Sequence, residues 1–389
     1  MDILKEVRTA GQSLWLDNLS RDLLVHGVLA GMKRNFGISG ITSNPSIFEQ
    51  AILKSASYTE ALANLAARDA APEEIFETLA LEDIRRAADL FLDVYDMTGG
   101  TDGYVSMEVK PSLAYDTENT VKEGVRLFEA LGRRNVLIKV PATPQGLRAG
   151  NALLRKGVNV NFTLIFSPDR YGEVISAYLD ALSWRVRNQL PVTALASVAS
   201  FFVSRIDTAV DAEIQTLLKT PEAFDNEDLY DFANSAKGRA GIANSLIAYK
   251  KYSAAFSGGE FRALQRKGAM KQRILWASTG VKNPAYKDTL YADALLLPDS
   301  VNTLPEAALK AFVEHGAPDR APLAPRIAAA EGFFTSLELA GVNFKSILGF
   351  LETDGVEKFS RAYDSLLLNI DEKNKLYGRG ALAGGKERY

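Results

Sequence analysis

Eight short runs of β-branched and apolar residues punctuate this chain, each separated from the next by a longer stretch with helical periodicity. They lie near 13–17, 38–43, 103–109, 135–140, 158–165, 193–200, 272–278 and 293–297. Strands alternating with helices predict a parallel sheet with helical crossovers, and eight of them favour closure into a (β/α)8 TIM barrel over an open sheet. Such a barrel typically needs roughly 250 residues. The chain has 389, so additional helices and helical insertions are expected. The largest insertion falls at about 207–270, where the segment from Gly238 reads as an amphipathic packing helix. A second helix is expected to start at Ala71-Pro72-Glu73-Glu74, with proline and acids in its first turn. The region from about 304 to 373 reads as helical. The expected organisation is one barrel domain over 1–376, with a flexible tail at 377–389.

Composition narrows the chemistry. The 45 basic and 48 acidic residues leave a net charge of −3, which gives no electrostatic argument for nucleic acid or an anionic membrane. Cysteine is absent, which excludes disulfides, thiolate metal sites and cysteine nucleophiles. The only histidines are His26 and His315, too few for a histidine-rich metal site. No apolar stretch approaches the ~20 residues that span a bilayer, and the first residues lack the pattern of a signal peptide. A cytoplasmic location is the expectation. No glycine-rich dinucleotide motif follows a strand, and no Walker-type loop occurs.

The run Asn135-Val-Leu-Ile-Lys-Val-Pro141 carries a lone amine, Lys139, in an otherwise apolar strand. A buried ammonium finds a partner or loses its proton, and a neutral lysine can condense with a carbonyl to form a Schiff base. A lysine snorkelling from an edge strand is the competing structural reading. In a barrel the active site gathers at the carboxyl ends of the strands. Read that way, the strands present Asp17, the Thr42-Ser43-Asn44-Pro45 turn, Glu108, Lys139, Asn161 with Thr163, Ser200 with Arg205 beyond it, and Ser278 with Lys282 beyond it. Each has a structural alternative. Asp17 can cap a helix, Asn44-Pro45 is a turn signal, and Asn161 and Thr163 share one strand face. Glu108 can pair with a surface lysine, and Arg205 and Lys282 can be solvated. Together, two carboxylates, an amine and a polar pair suit Schiff-base carbonyl chemistry. Arg205, Lys282 and Ser278 suit a sugar phosphate.

The segments Gly40-Ile-Thr-Ser-Asn-Pro-Ser46, Val105-Ser-Met-Glu-Val109, Leu137 to Leu147, Gly157 to Phe166, Ser197 to Arg205, Trp276 to Lys282 and Asp299 to Pro305 together resemble the transaldolases. These are class I aldolases of the pentose phosphate pathway, and the likeness, over roughly residues 11–370, is to their longer-chain bacterial subgroup. The resemblance implies Lys139 as the Schiff-base lysine and Asp17 as the acid that handles the C4-hydroxyl proton. It implies Glu108 and Thr163 as the pair holding a catalytic water. Asn44 and Asn161 would bind substrate hydroxyls, and Ser200, Arg205 and Ser278 would lie near hydroxyls or phosphate. Gly280 stands where shorter members carry an arginine, so Lys282 is expected to replace that charge. Lys110 follows Glu108-Val109 where an aspartate is common. The resemblance further implies sugar-phosphate substrates and no cofactor. A homo-oligomer is compatible with the sequence. Two other readings stay open at this stage: a fructose-6-phosphate aldolase-like enzyme that releases dihydroxyacetone, and a non-catalytic barrel that binds phosphosugars.

Overall fold

Each strand is short, and most are followed by a segment opening with a proline, a capping residue or both, so the chain alternates tightly between extended and helical backbone. The computed structural model describes residues 3–384. In it, β1 (Ser13–Asp17), β2 (Gly40–Thr42), β3 (Val105–Glu108), β4 (Val136–Pro141), β5 (Val160–Ile165), β6 (Ser197–Phe202), β7 (Arg273–Ala277) and β8 (Val301–Leu304) form a closed barrel of parallel strands in sequence order. β8 closes the ring by pairing with both β7 and β1. The (β/α)8 expectation holds.

The eighth strand is displaced from its expected place. The apolar run at 293–297 is not a strand: Leu290–Ala294 is a short helix, and Leu295 and Leu297 are buried beyond it. A short apolar run does not distinguish a strand from a buried helix. The chain then turns at Asp299, whose φ is 53°, and the less apolar Val301-Asn-Thr-Leu304 forms β8.

The helices follow local signals. Pro72–Met97 starts on a proline with Glu73 and Glu74 in its first turn. Pro144–Arg155 is capped by Thr143, whose Oγ1 accepts from Gly146 N at 2.9 Å. Gly146 is required there. A Cβ at this position would lie 1.8 Å from the Pro141 carbonyl oxygen, at the end of the strand that carries Lys139.

The insertion between β6 and β7 comprises five helices, including Ser204–Leu217 and Ala240–Ser257. Ala240–Ser257 is buried on most of its faces between Pro168–Arg187 and Leu323–Leu339, which makes it less amphipathic than its sequence suggests. A network pins the insertion to the barrel. Asp207 accepts from Gly241 N and Tyr291 Oη, and Asp211 accepts from Gly238 N and Tyr286 Oη.

The last helix, Phe344–Gly384, packs on Pro45–Lys54, Pro72–Met97 and Ser204–Leu217, and reaches β5. Of the tail expected at 377–389, residues up to Gly384 continue this helix and 385–389 lie outside the described residues. No helix among the described residues is long and apolar enough to cross a membrane.

Candidate active site

Strand register builds the centre of the site. Glu108 pairs with Lys139 across β3 and β4, and Lys139 pairs with Asn161 across β4 and β5. Three polar side chains therefore stand side by side in one layer of an apolar barrel. Thr163, two residues beyond Asn161 on the same strand face, lies opposite Pro141. β5 then changes register between Phe162 and Ile165, with Leu164 at φ 59°. That bulge bends the strand immediately past Thr163.

Lys139 is 4% exposed. Its Nζ donates to the Ser43 carbonyl at 3.1 Å and lies 3.7 Å from Glu108 Oε2, a separation of charge pairing and not of hydrogen bonding. The edge-strand alternative is thereby removed, since both neighbouring strands flank Lys139 and its amine points into the barrel mouth. Glu108 is equally buried, and neither of its carboxylate oxygens has a hydrogen-bond partner among the described residues. Burial pushes its pKa up to about 7, against the pull of the Lys139 charge. A space of about 20 Å³ adjoins it, enough for one water. Thr163 Oγ1 is also buried without a partner among the described residues.

Across the mouth, Asp17 ends β1 in register with Thr42 of β2. Thr42 Oγ1 donates to Asp17 Oδ1 at 2.7 Å and contacts Thr303 Oγ1 at 2.6 Å. Burial raises the Asp17 pKa, while the Thr42 hydrogen bond and the charges of Lys139 and Lys282 oppose the rise. Asp17 does not cap the following helix; Ser20 does, its Oγ accepting from Leu23 N. Asn161 Oδ1 accepts from Ser200 Oγ at 2.7 Å, and its Nδ2 donates to Ser106 Oγ at 3.1 Å. Asn44 stands at the turn into the next helix and at the cavity wall. Its Oδ1 caps the helix Pro45–Lys54 by accepting from Ile47 N, and the residue also lines the cavity.

That cavity has a volume of about 240 Å³. It collects Asp17, Asn44, Lys139, Thr163, Ser200 and Arg205 at its wall, with Ser278 and Lys282 completing the set. Glu108 and Asn161 flank it through Lys139. Arg205, in the first turn of Ser204–Leu217, has its guanidinium between the rings of Phe202 (5.4 Å) and Phe359 (5.8 Å). Its Nη1 is buried without a partner among the described residues. Burial lowers its pKa and Asp354 opposes the shift, yet a guanidinium stays charged in proteins. Ser278 sits at φ 55°, and its Oγ meets Ser204 Oγ at 2.9 Å.

A Cβ on Gly280 would lie 3.2 Å from Pro305 Cγ and 3.9 Å from Lys282 Nζ. The space beside residue 280 is therefore crowded, and the Lys282 amine already occupies its edge. Lys110 points elsewhere, pairing with Glu73 at 2.7 Å. His26 is exposed between two helices, and His315 pairs with Asp288 at the surface.

Sequence reasoning missed several contributors. Thr303 falls in the strand that was misplaced. Phe202 was signalled by its i+2 spacing from Ser200 on the same strand face. Lys358 and Phe359 come from the last helix, and nothing local in their sequence marks them as lining the cavity.

A closed parallel barrel with a buried lysine, a neighbouring carboxyl whose pKa burial raises to about 7 and a second acid across the mouth is an arrangement suited to the Schiff-base aldolase class. Comparison with known proteins places the chain within that class. The family model "Transaldolase/Fructose-6-phosphate aldolase" matches residues 14–370, and the chain belongs to this family. A transaldolase of Saccharopolyspora erythraea is 41% identical over 95% of this chain and 97% of its own length. One from Thiobacillus denitrificans is 43% identical over 95% of this chain and its entire length. A third, from Neisseria gonorrhoeae, is 40% identical over 94% of this chain and 99% of its own. Similarity at this level over whole chains makes the activity that of a transaldolase.

Proposed function

We propose that this enzyme moves a three-carbon dihydroxyacetone unit from sedoheptulose 7-phosphate to glyceraldehyde 3-phosphate through an imine on Lys139. The observation that carries the residue roles is the register Glu108–Lys139–Asn161, which sets a buried amine beside a carboxyl with a pKa near 7.

Glu108, with Thr163, holds a water that draws a proton from the amine and later delivers one to the carbinolamine hydroxyl, which leaves as water. The protonated imine is the electron sink, so the chemistry itself calls for no metal or organic cofactor. Asn161, fixed by Ser106 and Ser200, and Asn44 hold substrate hydroxyls. Asp17 takes the C4-hydroxyl proton as the C3–C4 bond breaks. Erythrose 4-phosphate leaves and a dihydroxyacetone enamine remains on Lys139. The enamine carbon then adds to the aldehyde of glyceraldehyde 3-phosphate while Asp17 returns its proton. Hydrolysis of the new imine frees fructose 6-phosphate.

Arg205, Lys282, Ser278 and Ser200 receive the substrate's far end and phosphate. Lys282 supplies the charge that Gly280 lacks, as a point charge where an arginine would offer a planar fork. Transfer is distinguished from release by its dependence on acceptor. Erythrose 4-phosphate production from sedoheptulose 7-phosphate should be sustained only with glyceraldehyde 3-phosphate present. Sustained free dihydroxyacetone without acceptor would make the enzyme an aldolase instead.

A further inference from the structure

The last helix, Phe344–Gly384, is far in sequence from every strand-end motif, yet it contributes Lys358 and Phe359 to the cavity wall. Phe359 is buried with its ring over Lys139 Nζ at 5.6 Å and over the Arg205 guanidinium at 5.8 Å. It therefore ties the helix to both the reacting amine and the cationic end of the cavity. One turn earlier, Asp354 lies close enough to Arg205 to stabilise its charge. Lys358 Nζ pairs with Asp354 Oδ2 at 2.6 Å, with the lysine side chain half exposed. Arg205, Asp354 and Lys358 form one charged cluster at the mouth.

The charge balance of the wall points to an anion. Its ionisable residues are Lys139, Arg205, Lys282 and Lys358 against one carboxylate, Asp17. The pair is lopsided: the Lys358 side chain is half exposed, whereas Asp354 is only 12% exposed and also acts on the Arg205 charge. A phosphate carrying nearly two charges and three acceptor oxygens is the stronger partner for the same ammonium.

We propose that Lys358 is a specificity-determining residue for phosphorylated substrates: its ammonium leaves Asp354 for the substrate phosphate, completing a cation set with Arg205 and Lys282. The Asp354 carboxylate holds the lysine at the mouth in the empty enzyme and continues to stabilise the Arg205 charge when the lysine moves. This rests on the transaldolase reading and adds a contact to the same site.

The test is the acceptor ratio: kcat/KM for glyceraldehyde 3-phosphate divided by that for glyceraldehyde, at a fixed donor concentration. A ratio cancels losses of folded enzyme or of donor reactivity. Lys358→Met should lower it by about tenfold, or ~1.4 kcal/mol, and Lys358→Arg, which keeps the charge, should restore it. An unchanged ratio in Lys358→Met overturns the proposal and leaves the transaldolase reading standing. Absence of acceptor-dependent transfer in the unaltered enzyme overturns the reading beneath it.

Discussion

Replacing Glu108 with glutamine isolates the proton relay from the rest of the site. The side chain keeps its length but loses its exchangeable proton and the carboxylate charge that faces Lys139. Burial holds the Glu108 pKa at about 7, so near neutrality it is roughly half ionised and can both accept and donate. A positioned group of this kind contributes about 10²–10⁴-fold. Imine formation in Glu108→Gln should therefore slow by at least ~10²-fold, about 2.7 kcal/mol in the barrier. Phosphate affinity should hardly change, because Arg205 and Lys282 follow other strands, β6 and β7. Stopped-flow measurement of imine formation across pH 5–9 is the assay. The unaltered enzyme should show a limb near pH 7 that the variant lacks. An imine-formation rate unchanged by the substitution would remove Glu108 from the relay.

Three further perturbations test the scaffold around the site. Thr42→Val deletes the hydroxyl that donates to Asp17; a hydrogen bond to a charged group is worth about 1.5–3 kcal/mol. The Asp17 pKa should rise further, and steady-state kcat should fall roughly tenfold or more with imine trapping retained. Gly146→Ala drives a Cβ into the Pro141 carbonyl and should destabilise the fold by about 1–3 kcal/mol or more, read as a lower denaturant midpoint. Asp207 is held by burial at a pKa of about 6, above its ordinary 3.8. Its folded-state pKa is raised, so its contribution to stability is fully present below pH 3.8 and is lost as pH rises through 6. Thermal melts of Asp207→Asn should show a flatter loss of stability over that window than the unaltered protein.

The site was more legible than the fold around it. Lys139 announced itself because a charged residue inside an apolar strand has few structural explanations. Glu108 and Asn161 gained force only once their strands were adjacent, which the barrel topology supplies. The eighth strand was misread because hydrophobicity reports burial and not backbone conformation: Leu295 and Leu297 are buried outside any strand, while the actual β8 carries Asn302 and Thr303. Lys358 and Phe359 were illegible for a different reason. Their role depends on where a late helix packs, and no local pattern encodes a tertiary contact with β5 and Pro45–Lys54. Lys110 stands where an aspartate is common in the transaldolases the chain resembles, and the chain turns after β3 and delivers it to Glu73.

The central claim is that Lys139 forms the covalent intermediate. The direct measurement is borohydride reduction of the enzyme with fructose 6-phosphate, followed by peptide mapping. The account predicts a single dihydroxyacetone-derived adduct, on Lys139. An adduct on another lysine, or none from folded enzyme with the sugar bound, would contradict it.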